Sequence, residues 1–287
     1  MDPLVIVMVL AAAVMHAVWN TFVKVGDDRF MTMAVVIGVT GLLGPALVLA
    51  GAPPAPESWK FIALSVTIHL GYFFFLIQAY RVGDLSHAYP LARGSAPLLV
   101  AAGSALFAGE MLNAGELAGI AVISAGIISL MLAGGSGFRG DFRATAYPLA
   151  TGLMIASYTV ADGLGVRVSG SPAGYIGWLF IFSAIPLVVA ALAWRRGEAV
   201  AFLRRSWKPG LVAGALAFCA YGLAIWALNL GTMAHVSALR ETSVVIAALI
   251  GTRFLGEPFG RRRVLSAAVV VGGVVLLNVA AGGCCPN

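Results

Sequence analysis

Charged residues are scarce in this sequence of 287 residues, at 10% of the total, whereas a soluble domain usually has about 25%. Apolar residues make up 60%. They recur in blocks of about 20, the length that a helix needs to cross a hydrocarbon core of roughly 30 Å. No stretch between the blocks is long enough to form a soluble core. The composition therefore excludes a large soluble domain and predicts an all-α polytopic membrane protein.

Cysteines and catalytic motifs are also scarce. There are three cysteines, Cys219 inside an apolar segment and the adjacent pair Cys284 and Cys285, and their spacing fits neither a disulfide framework nor a zinc site. We expect Cys219 to be a small core residue. The sequence contains no Walker loop, no metal-ligand spacing and no evident Ser/His/Asp set. We therefore expect no ATP drive, cofactor, metal or enzymatic activity, with an intramembrane enzyme as a remote alternative.

The apolar blocks predict ten membrane-spanning helices in two five-helix units. They lie near residues 3–23, 30–50, 59–80, 86–108, 114–134, 145–165, 173–194, 209–229, 233–255 and 263–281. The first block lacks the basic region of a cleaved signal peptide, so we interpret it as the first spanning helix. A Gly-rich stretch at the midpoint divides the chain into a first unit (1–136), a cytoplasmic linker (137–144) and a second unit (145–287).

The positive charges predict the orientation. Two of the 18 Lys and Arg residues lie within predicted helices, and of the rest 14 follow odd-numbered helices while only Lys60 and Arg167 lie on the other side. Because Lys and Arg accumulate in cytoplasmic loops, the odd-numbered loops should be cytoplasmic and both termini outside, in a bacterial inner membrane. The net charge of +6 is thereby explained by topology. We expect no nucleic-acid partner, but a lipid bilayer and a small-molecule substrate, for a monomer or homodimer.

An internal repeat relates the two halves. "HAYPLARGSAPLLVAAGSALFAGE" in the first half aligns with "HVSALRETSVVIAALIGTRFLGE" in the second. The aligned anchors are His87 with His235, 148 residues apart, and Arg93 with Arg240 and Glu110 with Glu257, each 147 apart. Since each half has five helices, the second half should enter the membrane from the opposite side. The halves are therefore predicted to be inverted repeats, a construction common in transporters with a central site.

Two arginines lie inside apolar helices. Arg240 is six to nine residues into the ninth helix, which is roughly 9–14 Å along its axis, and Arg93 lies at a similar depth from the opposite side. An arginine at the centre of a membrane helix costs about 2.5–3.5 kcal/mol, so both should face protein or water. One interpretation is a structural arginine satisfied by carbonyls or a carboxylate. The other is an anion site lining a cavity, which the presence of an arginine in both halves favours.

Two acidic residues also lie inside predicted helices. Glu241 is adjacent to Arg240, and neighbouring residues on a helix do not face each other. Glu241 therefore needs another partner, which is Arg93, a substrate ammonium group or a proton. Asp162, late in the sixth helix, is either a buried functional carboxylate or a helix cap. Glu241 and Asp162 are both candidates for proton coupling, with a membrane histidine or passive transport as alternatives.

Polar and aromatic residues share faces on three helices. They are His16, Trp19 and Asn20 on the first helix, His69 and Tyr72 on the third, and Tyr221 and Trp226 on the eighth. Aromatic residues at helical spacing usually contribute to packing, but polar groups among them favour an aromatic-lined, hydrated pocket. Pro90 and Pro97 should bend the fourth helix. Glu110 and Glu257, at helix ends, are expected to cap helices or to pair with basic loop residues.

These segments resemble a known family. "RVGDLSHAYPLARGSAPLLVAAGSALFAGE" and "VSALRETSVVIAALIGTRFLGEP" are similar to the fourth and ninth helices of the drug/metabolite transporter superfamily, specifically its EamA family, and "HAVWNTFVK" resembles the first helix. The resemblance covers nearly the whole chain. It implies a ten-helix basket of inverted repeats, alternating access and a central cavity between the third, fourth, eighth and ninth helices.

The resemblance also implies a function. Many members of the family export amino acids or other metabolites, and in related carriers basic residues early in the ninth helix contact the substrate, which is the place of Arg240. Glu241 departs from a purely basic site. We therefore predict an exporter of small zwitterions, with Arg240 and Arg93 on the carboxylate and Glu241 near the amine. The alternative is a transporter of organic anions such as phosphonates or carboxylates.

Overall fold

The computed structural model describes residues 2–82, 85–133, 142–255 and 261–282. Within these ranges the chain is helical almost throughout and contains no strand. The predictions for Glu257, for Cys284 and Cys285 and for most of the linker lie outside the described residues.

Within the described ranges the fold comprises ten α-helices. They are α1 (Pro3–Val25), α2 (Arg29–Ala50), α3 (Trp59–Val82), α4 (Leu85–Ala108), α5 (Ala114–Ala133), α6 (Arg143–Val168), α7 (Pro172–Arg195), α8 (Gly197–Leu230), α9 (α9a, Met233–Arg240, and α9b, Thr242–Leu255) and α10 (Arg261–Gly282). In the described part of the chain, nine helices are long and apolar enough to cross a bilayer, and α5 carries a shorter apolar stretch, Ala114–Leu130. The predicted all-α polytopic architecture is confirmed.

The second half differs from prediction between α7 and α8. The stretch expected to be a basic connection is helical, so that α8 begins at Gly197 and not near residue 209. Arg195, with φ −140° and ψ 38°, interrupts the otherwise continuous helical run from Pro172 to Leu230. Hydropathy predicted the wrong boundary because it marks where a segment enters lipid, whereas good helix formers such as Ala, Leu and Arg extend the helix beyond that level.

The ninth helix is broken at Glu241, where a continuous helix was expected. The Glu241 N–H donates to the carbonyl of Ala238 at 3.2 Å, a tightened turn, and α9b begins with Val244 N–H donating to the Glu241 carbonyl at 2.9 Å. Non-α-helical backbone inside a membrane is tolerated where it is enclosed by protein. Glu241 is only 2% exposed, so the break lies in the protein interior.

Glycines allow close helix contacts on both sides of the fold. A Cβ at Gly119 of α5 would lie 2.8 Å from the backbone of Leu277 in α10, and one at Gly44 of α2 would lie 2.7 Å from the carbonyl of Gly177 in α7. Small residues let helices approach in a bilayer, where no hydrophobic force drives them together. Between these helices and the rest of the fold, α6 packs mainly against α3 and α4 and carries the buried Asp162.

Cys219 is not a core residue. Its thiol is exposed on the outer face of α8. The prediction failed because lipid-facing and core-facing positions of a membrane helix are equally apolar, and hydropathy does not distinguish them.

Candidate functional site

Arg93 of α4 and Glu241, at the break in α9, form a buried ion pair between the halves. Arg93 Nε donates to Glu241 Oε2 at 3.0 Å, and Nη2 lies 2.9 Å from Oε1. The two residues are 7% and 2% exposed. Both carboxylate oxygens are therefore bound in the two-point geometry that arginine favours. Of the three partners proposed for Glu241, the structure provides Arg93.

Arg240, the matching arginine of the second half, has a different environment. Its guanidinium carbon lies 5.5 Å from the ring centroid of Tyr221 on α8, within the range of a cation–π contact. Arg240 is 9% exposed. In the described part of the chain no carboxylate forms an ion pair with it. Among the residues that the structure describes, Arg240 is thus a buried cation without an ion-pair partner.

Asp162 of α6 is fully buried, and its helix continues six residues further, so it does not cap the helix end. Tyr175 of α7 donates to Asp162 Oδ1 at 3.0 Å, and Tyr221 donates to Oδ2. Among the described residues no Lys, Arg or His forms an ion pair with this carboxylate. Tyr221 therefore contacts both uncompensated charges, with its hydroxyl on Asp162 and its ring beneath Arg240.

Aromatic rings surround this junction. Tyr158 of α6 stacks on His69 of α3 with ring centroids 4.2 Å apart, and Tyr221 lies 6.0 Å from His69 and 6.1 Å from Tyr158. Tyr72 lies 6.0 Å from Tyr158, edge to face. Offset and edge-to-face arrangements of this kind stabilise aromatic groups in a fixed orientation. We call Arg93, Arg240, Glu241, Asp162, His69, Tyr158 and Tyr221 the central cluster.

His16 of α1 borders this cluster. His16 lies within electrostatic range of Arg93 and Arg240 and contacts Trp19 edge to face at 5.2 Å. The amide of Asn20 donates to the His16 carbonyl at 2.8 Å, within its own helix. Trp226 was predicted to line the same pocket, but it is 40% exposed on the outer surface of α8. The structure thus brings the predicted residues of α3, α4, α6 and α9 together with Tyr221. Trp226 faces outward, and Trp19 packs beside Val36, Ala213 and Ala217.

A second polar group, the outer cluster, joins the halves at the end of the molecule predicted to be outside. Glu110, after α4, binds Arg167 of α6 through Oε1 at 2.7 Å and accepts the Met233 N–H through Oε2 at 2.8 Å. His235 Nε2 lies 3.3 Å from Glu116 Oε1. Glu110 therefore both caps α9a and pairs with a basic residue, as its position at a helix end indicated.

Two cavities lie at opposite ends of the described part of the molecule. The larger is an open depression of about 480 Å³ beside the outer cluster, lined in part by Asp2, Glu116, Arg167 and His235. The smaller, of about 200 Å³, lies at the other end near Asp27 and Ser206. Neither of these two cavities is lined by a residue of the central cluster.

Metal ligands are not grouped in the residues that the structure describes, where no three His, Cys, Asp or Glu side chains could hold an ion together. The central cluster instead offers charge and hydrogen bonds. It combines a compensated ion pair, an uncompensated cation and a carboxylate held by two phenols.

Two residues that contact the site, Tyr158 and Tyr175, were not predicted from the sequence. Tyr158 precedes Asp162 by four residues and shares its helix face, so the spacing contained a signal. Tyr175 lies in α7, and no pattern in the sequence indicated that it would meet Asp162.

Comparison with known proteins gives a family match over the second half of the chain and a likeness of fold over nearly all of it. Residues 144–279 match the model of the EamA-like transporter family, which belongs to the drug/metabolite transporter superfamily. One solved structure, described as "Crystal structure of protein", superimposes with a TM-score of 0.77 over 99% of each chain at 18% identity, a likeness of fold. No curated protein matches the chain significantly.

Proposed function

We propose that this chain, whose second half belongs to the EamA-like transporter family, is a secondary transporter that exports small zwitterions such as amino acids. Transport would proceed by alternating access around the central cluster. The family accounts for a membrane transporter of the drug/metabolite type. The substrate, direction and mechanism are our proposal, which rests on the charges of the central cluster.

The proposal rests on one observation, the burial of Arg240 without an ion pair to a described residue. A buried guanidinium without a matched carboxylate is costly in a membrane protein, and such groups mark substrate and ion pathways. An anionic group of the substrate would compensate the charge and would accept two parallel N–H bonds. Arg240 therefore binds the substrate carboxylate in this proposal.

The roles of Arg93 and Glu241 follow from their ion pair. Because Glu241 occupies Arg93 at two points, Arg93 acts on the substrate indirectly, by holding Glu241 in place. Glu241 is adjacent to Arg240 in sequence, so a zwitterion on Arg240 brings its ammonium group toward the Glu241 carboxylate. Tyr158, Tyr221 and His69 then form the walls of the site, with His16, Trp19, Asn20 and Tyr72 at its margin.

The proposed location is a bacterial inner membrane with both termini outside. The distribution of Lys and Arg supports this orientation, and the exposed pairs Asp27–Arg205 and Asp28–Arg195 lie at the proposed cytoplasmic end. A reporter fused after Asn287 that is active only in the cytosol would contradict it.

A second candidate is transport of an organic anion, such as a carboxylate or phosphonate. The observation that favours it is the neutralisation of Glu241 by Arg93, which leaves Arg240 as the uncompensated charge that faces a ligand. Amino acids and their 2-hydroxy acid counterparts distinguish the two functions, since the two kinds of compound differ only in having an ammonium or a hydroxyl group at the second carbon.

The test is transport in proteoliposomes with that panel of amino acids and 2-hydroxy acids, with and without a pH gradient. Arg240→Gln should lower transport by about tenfold or more, because a charge-assisted contact to the substrate is lost. The matched control is Arg253→Gln, which removes an exposed arginine in the last turn of the same helix and should leave transport unchanged. A folded Arg240→Gln protein with normal transport would overturn the proposal.

A further inference from the structure

Four acidic and basic side chains of the described spans are buried at the centre of the molecule, and their formal charges sum to zero. Arg93 and Glu241 cancel each other in the ion pair. Arg240 and Asp162 also cancel in sum, but they do so across the ring of Tyr221 and without touching. The cluster is therefore neutral only while Asp162 is ionised and Arg240 has no anionic ligand.

A ligand on Arg240 changes this balance according to its own charge. A monoanion compensates Arg240 and leaves Asp162 as an excess negative charge with no exposure to solvent. An uncompensated carboxylate in a low-dielectric interior is strongly disfavoured and becomes protonated. A zwitterion adds no net charge and leaves the cluster neutral.

We propose that Asp162, coupled to Arg240 through Tyr221, takes up one proton for each net negative charge that a ligand brings to Arg240. This inference rests on the proposed function, since it takes Arg240 as the anion site. It selects Asp162 over Glu241 as the proton acceptor, because Glu241 already has a guanidinium on both oxygens.

The geometry at Asp162 suits a group that gains and loses a proton. Its two oxygens accept from two phenols, on different helices, and a phenol oxygen can accept as well as donate. When Asp162 is protonated, its hydroxyl donates to one tyrosine, which turns its own proton away, while the other tyrosine still donates to the second oxygen. The carboxyl group therefore keeps two partners in either state.

Other titratable and charged groups face Asp162 and define the competing outcomes. They are His69 on α3, Tyr158 on α6, Tyr175 on α7, Tyr221 on α8 and Arg240 on α9a, with the uncharged hydroxyl of Ser65 on α3 and, next to Tyr158, the paired Arg93 on α4. Of these, His69 is the group with an ordinary pKa near neutrality, about 6.5. The experiment must therefore separate Asp162 from His69.

Acetate and glycine are the probes, because they share a carboxylate and differ in net charge. Binding to the full-length protein in detergent is measured by calorimetry in buffers of different ionisation enthalpy, which yields the number of protons taken up. We expect about one proton per acetate and none per glycine. Above the pH at which Asp162 ionises, acetate affinity should fall about tenfold for each unit of pH.

Variants identify the side chain that takes up the proton. In Asp162→Asn, acetate should bind without proton uptake and without dependence on pH, whereas Asp27→Asn, at an exposed ion pair, should behave as the unaltered protein. Proton uptake that persists in Asp162→Asn would assign it to another group and overturn the inference. If Asp162→Asn does not fold, His69→Gln makes the assignment instead: proton uptake with acetate should persist in this variant, and its loss would assign the proton to His69 and overturn the inference.

The remaining outcomes separate this inference from the proposed function. Acetate binding that depends on Arg240 but takes up no proton overturns the inference and leaves the proposed function intact. Equal proton uptake with acetate and glycine also overturns it. If Arg240→Gln binds both probes as tightly as the unaltered protein does, Arg240 is not the anion site and both proposals fail.

Discussion

Arg93 and Arg240 are aligned in the sequence repeat that we predict between the two halves, yet their surroundings differ. Arg93 has a carboxylate on two of its nitrogens, whereas Arg240 lies over an aromatic ring and has no ion pair with any residue that the structure describes. The two aligned arginines therefore have different chemical environments, although the sequence around them repeats. One copy supplies a compensated charge that holds the halves together, and the other supplies a charge available to a ligand.

The residue that follows each arginine explains the difference. A Cβ at Gly94 would lie 2.6 Å from Ile128 Cγ1 and 3.1 Å from the Ser124 carbonyl of α5, so the first half has no room for a side chain there. In the second half that position is Glu241, at the break in α9, and its carboxylate reaches across to α4. Arg93 in the first half thus binds the carboxylate of Glu241 from the second half.

The largest expected effect is on folding stability. Arg93→Gln leaves Glu241 buried without its cation, and removal of one partner from a buried pair costs about 3–5 kcal/mol. Thermal or denaturant unfolding in detergent micelles measures this loss. The double variant Arg93→Gln with Glu241→Gln removes both charges and should recover most of it. If the double variant is no more stable than Arg93→Gln alone, the pair is not what stabilises this contact.

A smaller effect is expected from Gly94→Ala. The added methyl group overpacks the α4–α5 contact, at a cost of about 1–3 kcal/mol in unfolding free energy. Gly272→Ala in α10 is the matched control, because a Cβ there meets nothing within 4 Å. Equal stability of the two variants in the same unfolding assay would mean that lack of space at Gly94 does not explain the asymmetry.

The smallest effect on stability is expected from Arg240→Gln. It removes a cation–π contact worth about 0.5–2 kcal/mol and breaks no ion pair. Arg240→Gln should therefore unfold at a higher denaturant concentration than Arg93→Gln. The reverse order would contradict the comparison, since it would make Arg240 the structural arginine.

Much of this arrangement could be predicted from the sequence. Apolar blocks of membrane-spanning length predicted ten helices, and two arginines deep within them predicted buried charges. The spacing of Arg240 and Glu241 showed that they do not form a local pair, and Arg93 was among the partners considered for Glu241. Such inferences succeed because they depend on distances along one helix, which its geometry fixes.

Contacts between helices were harder to predict. Tyr175 and Tyr221 meet Asp162 from two other helices, and helix spacing contains no information about which faces of separate helices meet. Trp226 and Cys219 were placed inside but face outward, because both faces of a membrane helix are apolar. The break at Glu241 was missed because neither proline nor glycine marks it.

The bond from Glu110 to the first N–H of α9a has a consequence for biogenesis. Thr232, at the residue before α9a, provides no side-chain cap, so the helix of the second half that carries Arg240 is capped by a residue of the first. A second half synthesised alone would begin α9a with that N–H unsatisfied in an apolar setting. Two separately expressed half-chains should therefore be degraded singly and accumulate only when they are produced together.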